Sequence, residues 1–208
     1  ILSDRGFNLS GLSFMQTTEP EPGWLISRSG YTGEDGFEIA LPSDRAMEFA
    51  GGLLADERVE LCGLGARDSL RLEAGLCLYS QDLTEEISPI EAGLLWAVPK
   101  QIRETGTFIG SEAFRTLRAA GRKRARVGLK PEGRAPVRGG AALTDENGQP
   151  IGEVTSGGFG PSVGGPVAMG YVAIEQSKPG TTVLADVRGK QLPCAVVKPP
   201  FVPHRYKH

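Results

Sequence analysis

The sequence predicts an α+β chain, helices mostly first and strands last, with the change near residue 120. Three observations lead there. Helix caps and apolar stripes at helical spacing occur between Ser43 and Leu117. From Arg124 onward no helical stripe continues, and short apolar runs alternate with turn signals. Before both, two strand-like runs flank a turn rich in glycine and acids at residues 29–38.

The elements follow in order. Residues 24–29 read as a strand that ends at the glycines. Residues 37–41 read as its return, with Phe37, Ile39 and Leu41 alternating against Glu38 and Ala40. Ser43 can cap a helix with Asp44 in its first turn, and Ala46, Ala50, Leu53 and Leu54 supply its stripe. A second helix is expected over residues 64–74, stopping at Gly75. Ser88-Pro89-Ile90-Glu91 is a capping box with proline at the first helical position, so a helix through about Trp96 is expected. A fourth begins at Ser111, with Phe114 and Leu117 on one side. Strands are expected at residues 126–129, 150–155, 167–173, 182–187 and 192–197. Asp145-Glu146-Asn147-Gly148, Lys178-Pro179-Gly180 and Arg188-Gly189-Lys190 are the turns between them. This spacing suggests a small antiparallel barrel or sandwich. The expected division is 1–120 and 121–208.

Composition narrows the function. The chain has 208 residues, 39% of them hydrophobic, and a net charge of −2. That balance gives no long-range pull toward phosphate backbones or anionic lipid. No run approaches the ~18 apolar residues of a membrane-spanning helix. Cys62, Cys77 and Cys194 are odd in number and lack metal-ligand spacing, and the only histidines are His204 and His208. No nucleic acid, membrane or metal role is therefore expected. The chain opens on Ile1, with its first methionine at Met15, so an upstream portion is expected.

Several segments can carry chemistry. Ser29-Gly30-Tyr31-Thr32-Gly33-Glu34-Asp35-Gly36-Phe37-Glu38 has three glycines that permit positive φ and close backbone approach. Residue types alone leave two readings open, a solvated acidic tip and a ligand turn. In residues 65–75, Arg67 and Arg71 fall one helical turn apart, with Asp68 and Glu73 as available partners. A salt-bridged face is the ordinary reading. A guanidinium fork for a carboxylate is the functional one. Arg115, Arg118, Arg122, Lys123, Arg124 and Arg126 form a basic run without interleaved aromatics, which reads as a linker or solvated helix end. Residues 157–166 are glycine-rich without a phosphate-loop ending and read as a flexible connection.

Taken together, the turn at residues 30–38, the run Ala66-Arg67-Asp68-Ser69-Leu70-Arg71-Leu72-Glu73-Ala74-Gly75 and Ser88-Pro89-Ile90-Glu91-Ala92-Gly93-Leu94 resemble the glycine cleavage T-protein family. Residues 152–157, Ala168-Met169-Gly170-Tyr171-Val172, Lys178-Pro179-Gly180 and Phe201-Val202-Pro203 extend the resemblance almost to the end. It implies the later part of a folate-binding α+β body, followed by a small C-terminal antiparallel β-barrel.

The resemblance also implies an activity, aminomethyl transfer. The one-carbon unit passes from the aminomethyl-lipoyl arm of H-protein to tetrahydrofolate, and ammonia leaves. Glu38 matches the family's folate-binding glutamate, whose carboxylate can accept two hydrogen bonds from an amino-pyrimidine edge. Arg67 matches a folate-binding arginine and Tyr206 a C-terminal tyrosine at the folate site. Trp96 and Arg126 look like a ligand-packing tryptophan and a folate-side arginine. The family's catalytic aspartate falls upstream of this sequence, so the 208 residues alone are expected to turn over little. The implied compartment is bacterial cytoplasm or the mitochondrial matrix. Two relatives of the same fold are the alternatives, an iron–sulphur assembly protein and a folate-linked demethylase. The first carries Lys-Gly-Cys-Tyr-x-Gly-Gln-Glu, a motif absent here.

Overall fold

Residues 1–208 are described by a computed structural model, in which a 3-10 turn at Ser3–Arg5 precedes a three-stranded antiparallel sheet. Strands β1 (Thr17–Thr18), β2 (Leu25–Ser27) and β3 (Glu38–Ala40) lie in the order β1-β2-β3. Ile26 pairs with Ile39 and Ser27 with Glu38. Period-two alternation sets the burial: Ile26 is fully buried while Leu25 beside it is exposed. Helix α1 (Ser43–Leu54) follows. Its cap residue is Pro42, not Ser43, and no side chain caps it. The extended ψ of Pro42 starts the turn, and its carbonyl accepts the Arg45 N–H at 3.0 Å. The rings of Phe7, Trp24 and Phe49 cluster with centroids 5.1 to 6.1 Å apart.

Helix α2 (Leu64–Glu73) ends before Gly75, which takes φ +68° as expected. By packing, the chain forms two units: Ile1–Arg71 with Pro203–His208, and Leu72–Val202. The change from helix to strand falls later, just before Arg124, near the expected division at 120/121.

The predicted helix after Ser88 does not form. The capping box itself does: Glu91 N–H donates to Ser88 Oγ at 3.2 Å, and Ser88 N–H to Glu91 Oε2 at 3.3 Å. A stop follows at once. Leu94 N–H reaches Pro89 O at 2.8 Å and Gly93 N–H reaches Ile90 O at 3.4 Å, with Gly93 at φ +71°. Those two bonds make a Schellman motif, so the start and stop signals enclose a single turn. Only a three-residue 3-10 turn, Leu95–Ala97, remains. Helix α3 (Lys100–Thr105) was not predicted. Helix α4 (Ser111–Ala120) was, but only Phe114 is buried and Leu117 is exposed.

The remaining strands are β4 (Arg124–Pro131), β5 (Ala142–Thr144), β6 (Pro150–Gly160), β7 (Gly165–Ala173), β8 (Thr182–Val187) and β9 (Lys190–Val197). They close into an antiparallel barrel in the order β4-β7-β6-β5-β8-β9. Of barrel and sandwich, the two sequence readings, the barrel is found. Its interior is branched and small: Leu129, Leu143, Val154, Val172, Val183 and Val196 are buried together. The glycine-rich segment is not a flexible connection. Residues 157–160 extend β6 and residues 165–166 open β7, with Gly158 paired to Val167 and Gly160 to Gly165. Glycine serves close approach here: a Cβ on Gly157 would lie 1.8 Å from the Val137 carbonyl oxygen.

Two buried carboxylates tie loops to this barrel. Glu73, 2% exposed, accepts the N–H groups of Ser162 (2.7 Å) and Val163 (2.9 Å), and its carbonyl accepts those of Phe201 and Val202. It therefore braces the β6–β7 turn rather than pairing with an arginine of α2. Asp82, fully buried, accepts the Leu78 N–H at 2.9 Å and the hydroxyls of Thr155 (2.5 Å) and Ser156 (2.9 Å). Tyr171 donates to its carbonyl at 2.8 Å. Burial raises the Tyr171 phenol well above its ordinary pKa.

Candidate functional site

The turn between β2 and β3 is built by its ion pairs. Of its three glycines only Gly33 needs positive φ, at +78°; a Cβ on Gly30 or Gly36 would meet nothing within 4 Å. Gly33 O accepts the Arg205 N–H at 2.9 Å, which draws the C-terminal segment alongside the turn. The three carboxylates then part company. Glu34 pairs with Arg205 at 3.5 Å. Asp35 pairs with Arg28 at 2.5 Å, and the hydrogen bonds from Arg28 hold its carboxyl below the ordinary carboxylate range. Glu38 has no cationic partner. It is exposed and accepts only the Ser29 hydroxyl, at 2.5 Å. Ser27, opposite Glu38 in the ladder, holds its own Oγ 2.9 Å from that of Ser29.

Arg67 lies in the first turn of α2 with its guanidinium carbon 4.7 Å from the Tyr31 ring centroid. The aromatic of the turn thus positions the arginine of the helix. Arg71, one turn on, is 1% exposed and pairs with Asp68 at 2.7 Å, which is the salt-bridged reading of that face. Tyr206 stacks on Phe14, centroids 3.8 Å apart and planes 7° from parallel, with His204 at 4.9 Å. Burial raises its phenol pKa. Phe14 N–H donates to Lys207 O at 2.7 Å, which fixes the strap carrying Tyr206.

Glu38, Arg67 and Tyr206 therefore belong to the first unit, and Trp96 and Arg126 to the second. Trp96 stands 79% exposed on the 3-10 turn. Arg126 gives Nε to Ala92 O (2.9 Å) and Nη1 to Gly75 O (3.0 Å), leaving Nη2 for any other acceptor. Arg124, also from the basic run, pairs with Glu91 at 3.0 Å and lies 5.3 Å from the Tyr171 centroid. The contacts of Tyr31 with Arg67, Phe14 with Tyr206 and Arg28 with Asp35 were not read from the sequence. Tyr31 sat inside the turn already singled out, whereas nothing in the sequence links Phe14 to Tyr206. A cavity of about 580 Å³ in the first unit is lined by Arg28, Phe37, Ile39 and Lys207, but not by Glu38, Arg67 or Tyr206.

Chemically, the first unit offers an unpaired carboxylate, an arginine held on a ring and a stacked tyrosine. That set suits a flat, hydrogen-bonding heteroaromatic ligand. No helix is long and apolar enough to cross a membrane.

Two family models match the chain. The GCVT N-terminal domain covers residues 3–101, and the glycine cleavage T-protein C-terminal barrel domain covers residues 124–203. The mitochondrial aminomethyltransferase of Gallus gallus is 48% identical over 203 residues, covering 96% of this chain and 52% of that protein. That of Solanum tuberosum is 49% identical over 184 residues, covering 88% and 45%. The crystal structure of glycine cleavage system aminomethyltransferase T from Bartonella henselae is 55% identical with a TM-score of 0.97, covering all of this chain and 57% of that one. The chain thus spans about half the length of the curated relatives it matches.

Proposed function

Because the chain belongs to the glycine cleavage T-protein family, we propose that it supplies the folate-binding part of a tetrahydrofolate-dependent aminomethyltransferase. The substrate is the aminomethyl-lipoyl arm of H-protein. Tetrahydrofolate takes the one-carbon unit, leaving methylenetetrahydrofolate, ammonia and the reduced lipoyl arm. The observation that supports Glu38 as the pterin ligand is its lack of a cationic partner, when both neighbouring carboxylates have one. A carboxylate already paired to arginine has little left for an amino-pyrimidine edge, whereas Glu38 keeps both oxygens available at the cost of one serine hydroxyl.

Each residue then has a task. Glu38 accepts two N–H groups of the pterin. Arg67, held over Tyr31, donates to the ligand or orients it. The Tyr206–Phe14 stack provides an aromatic wall. Trp96 and the remaining Nη2 of Arg126 serve the benzoyl portion and the glutamate tail. In this reading the family's catalytic aspartate is contributed from outside these residues, and little turnover by the 208 residues alone is part of the proposal. The curated relatives are mitochondrial, and the proposed compartment is the mitochondrial matrix or, in a bacterium, the cytoplasm. The iron–sulphur and demethylase alternatives gain no support from the relatives matched.

The test is Glu38→Ala in the natural gene product. Losing a bidentate charged acceptor is expected to weaken tetrahydrofolate binding by about 2 kcal/mol, some thirtyfold, measured by calorimetric titration. Unchanged affinity removes Glu38 from the site.

A further inference from the structure

Arg28 sits next to the turn without belonging to the ligand set, and its side chain is only 11% exposed. Its guanidinium works in three directions. Nε and Nη2 grip both oxygens of Asp35, at 2.8 and 2.5 Å. Nη1 donates to Leu12 O at 3.0 Å and stands 3.5 Å from Leu9 O. The guanidinium carbon lies 5.0 Å from the Phe37 ring centroid. Its backbone joins in: Arg28 N–H donates to Gln16 O, and Met15 N–H to Arg28 O, both at 2.9 Å.

Each of these contacts ends within a few residues of a proposed folate ligand. Asp35 and Phe37 precede Glu38 by three residues and one. Leu12 and Met15 bracket Phe14, the ring on which Tyr206 stacks. After Arg28, the backbone N–H of Lys207, adjacent to Tyr206, is a lesser cause that helps hold the Asp35 carboxyl below its ordinary range. One buried guanidinium therefore joins the turn that carries Glu38 to the segment of chain that holds Phe14, the ring under Tyr206.

From this we infer that Arg28 and Asp35 are positioning residues of the folate site, setting Glu38 and Tyr206 in place before the ligand arrives without touching it. The inference rests on the folate reading above. Arginine suits the task because a planar fork binds a carboxylate and a carbonyl at fixed angles, which the single ammonium of lysine does not. A site ordered in advance spares the ligand the entropy of ordering it.

The experiment uses the natural gene product. It measures tetrahydrofolate Kd, KM and kcat for the parent, Arg28→Lys, Asp35→Asn, Glu38→Ala and the Arg28→Lys/Glu38→Ala pair. Arg28→Lys and Asp35→Asn are each expected to raise Kd and KM about tenfold, with kcat at saturating folate within about threefold of the parent. In the Glu38→Ala background, Arg28→Lys is expected to cost less than about threefold more, because part of what it positions has gone. A purely structural role gives another pattern: a lower melting point, unchanged Kd in the folded fraction, and effects of Arg28→Lys and Glu38→Ala that multiply. That pattern overturns the inference. Should Arg28→Lys fail to fold, Asp35→Asn, which preserves shape, decides alone. Loss of affinity in Glu38→Ala with parental Kd in both Arg28→Lys and Asp35→Asn refutes positioning while leaving the folate reading intact. Unchanged affinity in Glu38→Ala removes both.

Discussion

Residues 30–38 and residues 157–165 are both glycine-rich, and only the second uses glycine for close approach. In the turn, a Cβ at Gly30 or Gly36 would meet open space. Only Gly33 has a conformational need, at φ +78°. In the barrel hairpin, a Cβ at Gly157 would strike the Val137 carbonyl, and one at Gly160 would come within 2.7 Å of Glu73 Oε1. Gly157 and Gly160 let backbone and a buried carboxylate close in, while Gly164, at φ +73°, serves its turn as Gly33 does. The turn glycines leave the surroundings of Glu38 and Tyr31 uncrowded. A glycine count therefore says little until each position's neighbours are known.

That contrast can be broken by experiment, most severely in the barrel. Gly157→Ala is expected to cost about 3 kcal/mol or more, since backbone stands on the far side of the clash. Urea unfolding measures it, and a loss below about 0.5 kcal/mol would erase the distinction. Asp82→Ala leaves the Leu78 N–H without its acceptor and reduces the Thr155 and Ser156 hydroxyls to their longer bonds to Met169 O and Gln81 Oε1, both 3.2 Å. A loss of about 2–4 kcal/mol is expected in the same assay. The turn should be milder. Gly33→Ala is expected to cost about 1 kcal/mol for its left-handed backbone, and Gly30→Ala to stay within about 0.5 kcal/mol of the parent. Equal costs at these two positions would mean that the turn, too, is glycine-rich for packing.

The sequence made the barrel legible because its strands are short, regularly spaced and punctuated by unambiguous turns. Residues 182–187 were placed without error, for they lie between Lys178-Pro179-Gly180 and Arg188-Gly189. β5 was missed because three residues show no period. The helix expected after Ser88 failed for a readable reason: Gly93 follows the cap too closely, and two local signals of equal rank conflict. For the candidate site, the choice of Glu38 over Glu34 and Asp35 came from family resemblance. The structure adds a physical ground, because the partners of the other two, Arg205 and Arg28, are distant in sequence or hidden by the fold. Stacking of Phe14 on Tyr206 spans almost the whole chain and leaves no local trace.

The closed strand order has a consequence for how the two sheets open. Every barrel strand is flanked on both sides, and β4 pairs with β7 and with β9. Its amides should exchange with deuterated solvent slowly and together, through one cooperative opening. The three-stranded sheet ends in β1, only two residues long, and should lose protection from that edge inward. Exchange would then reach the ladder between Ser27 and Glu38 while the ring of the barrel remains protonated.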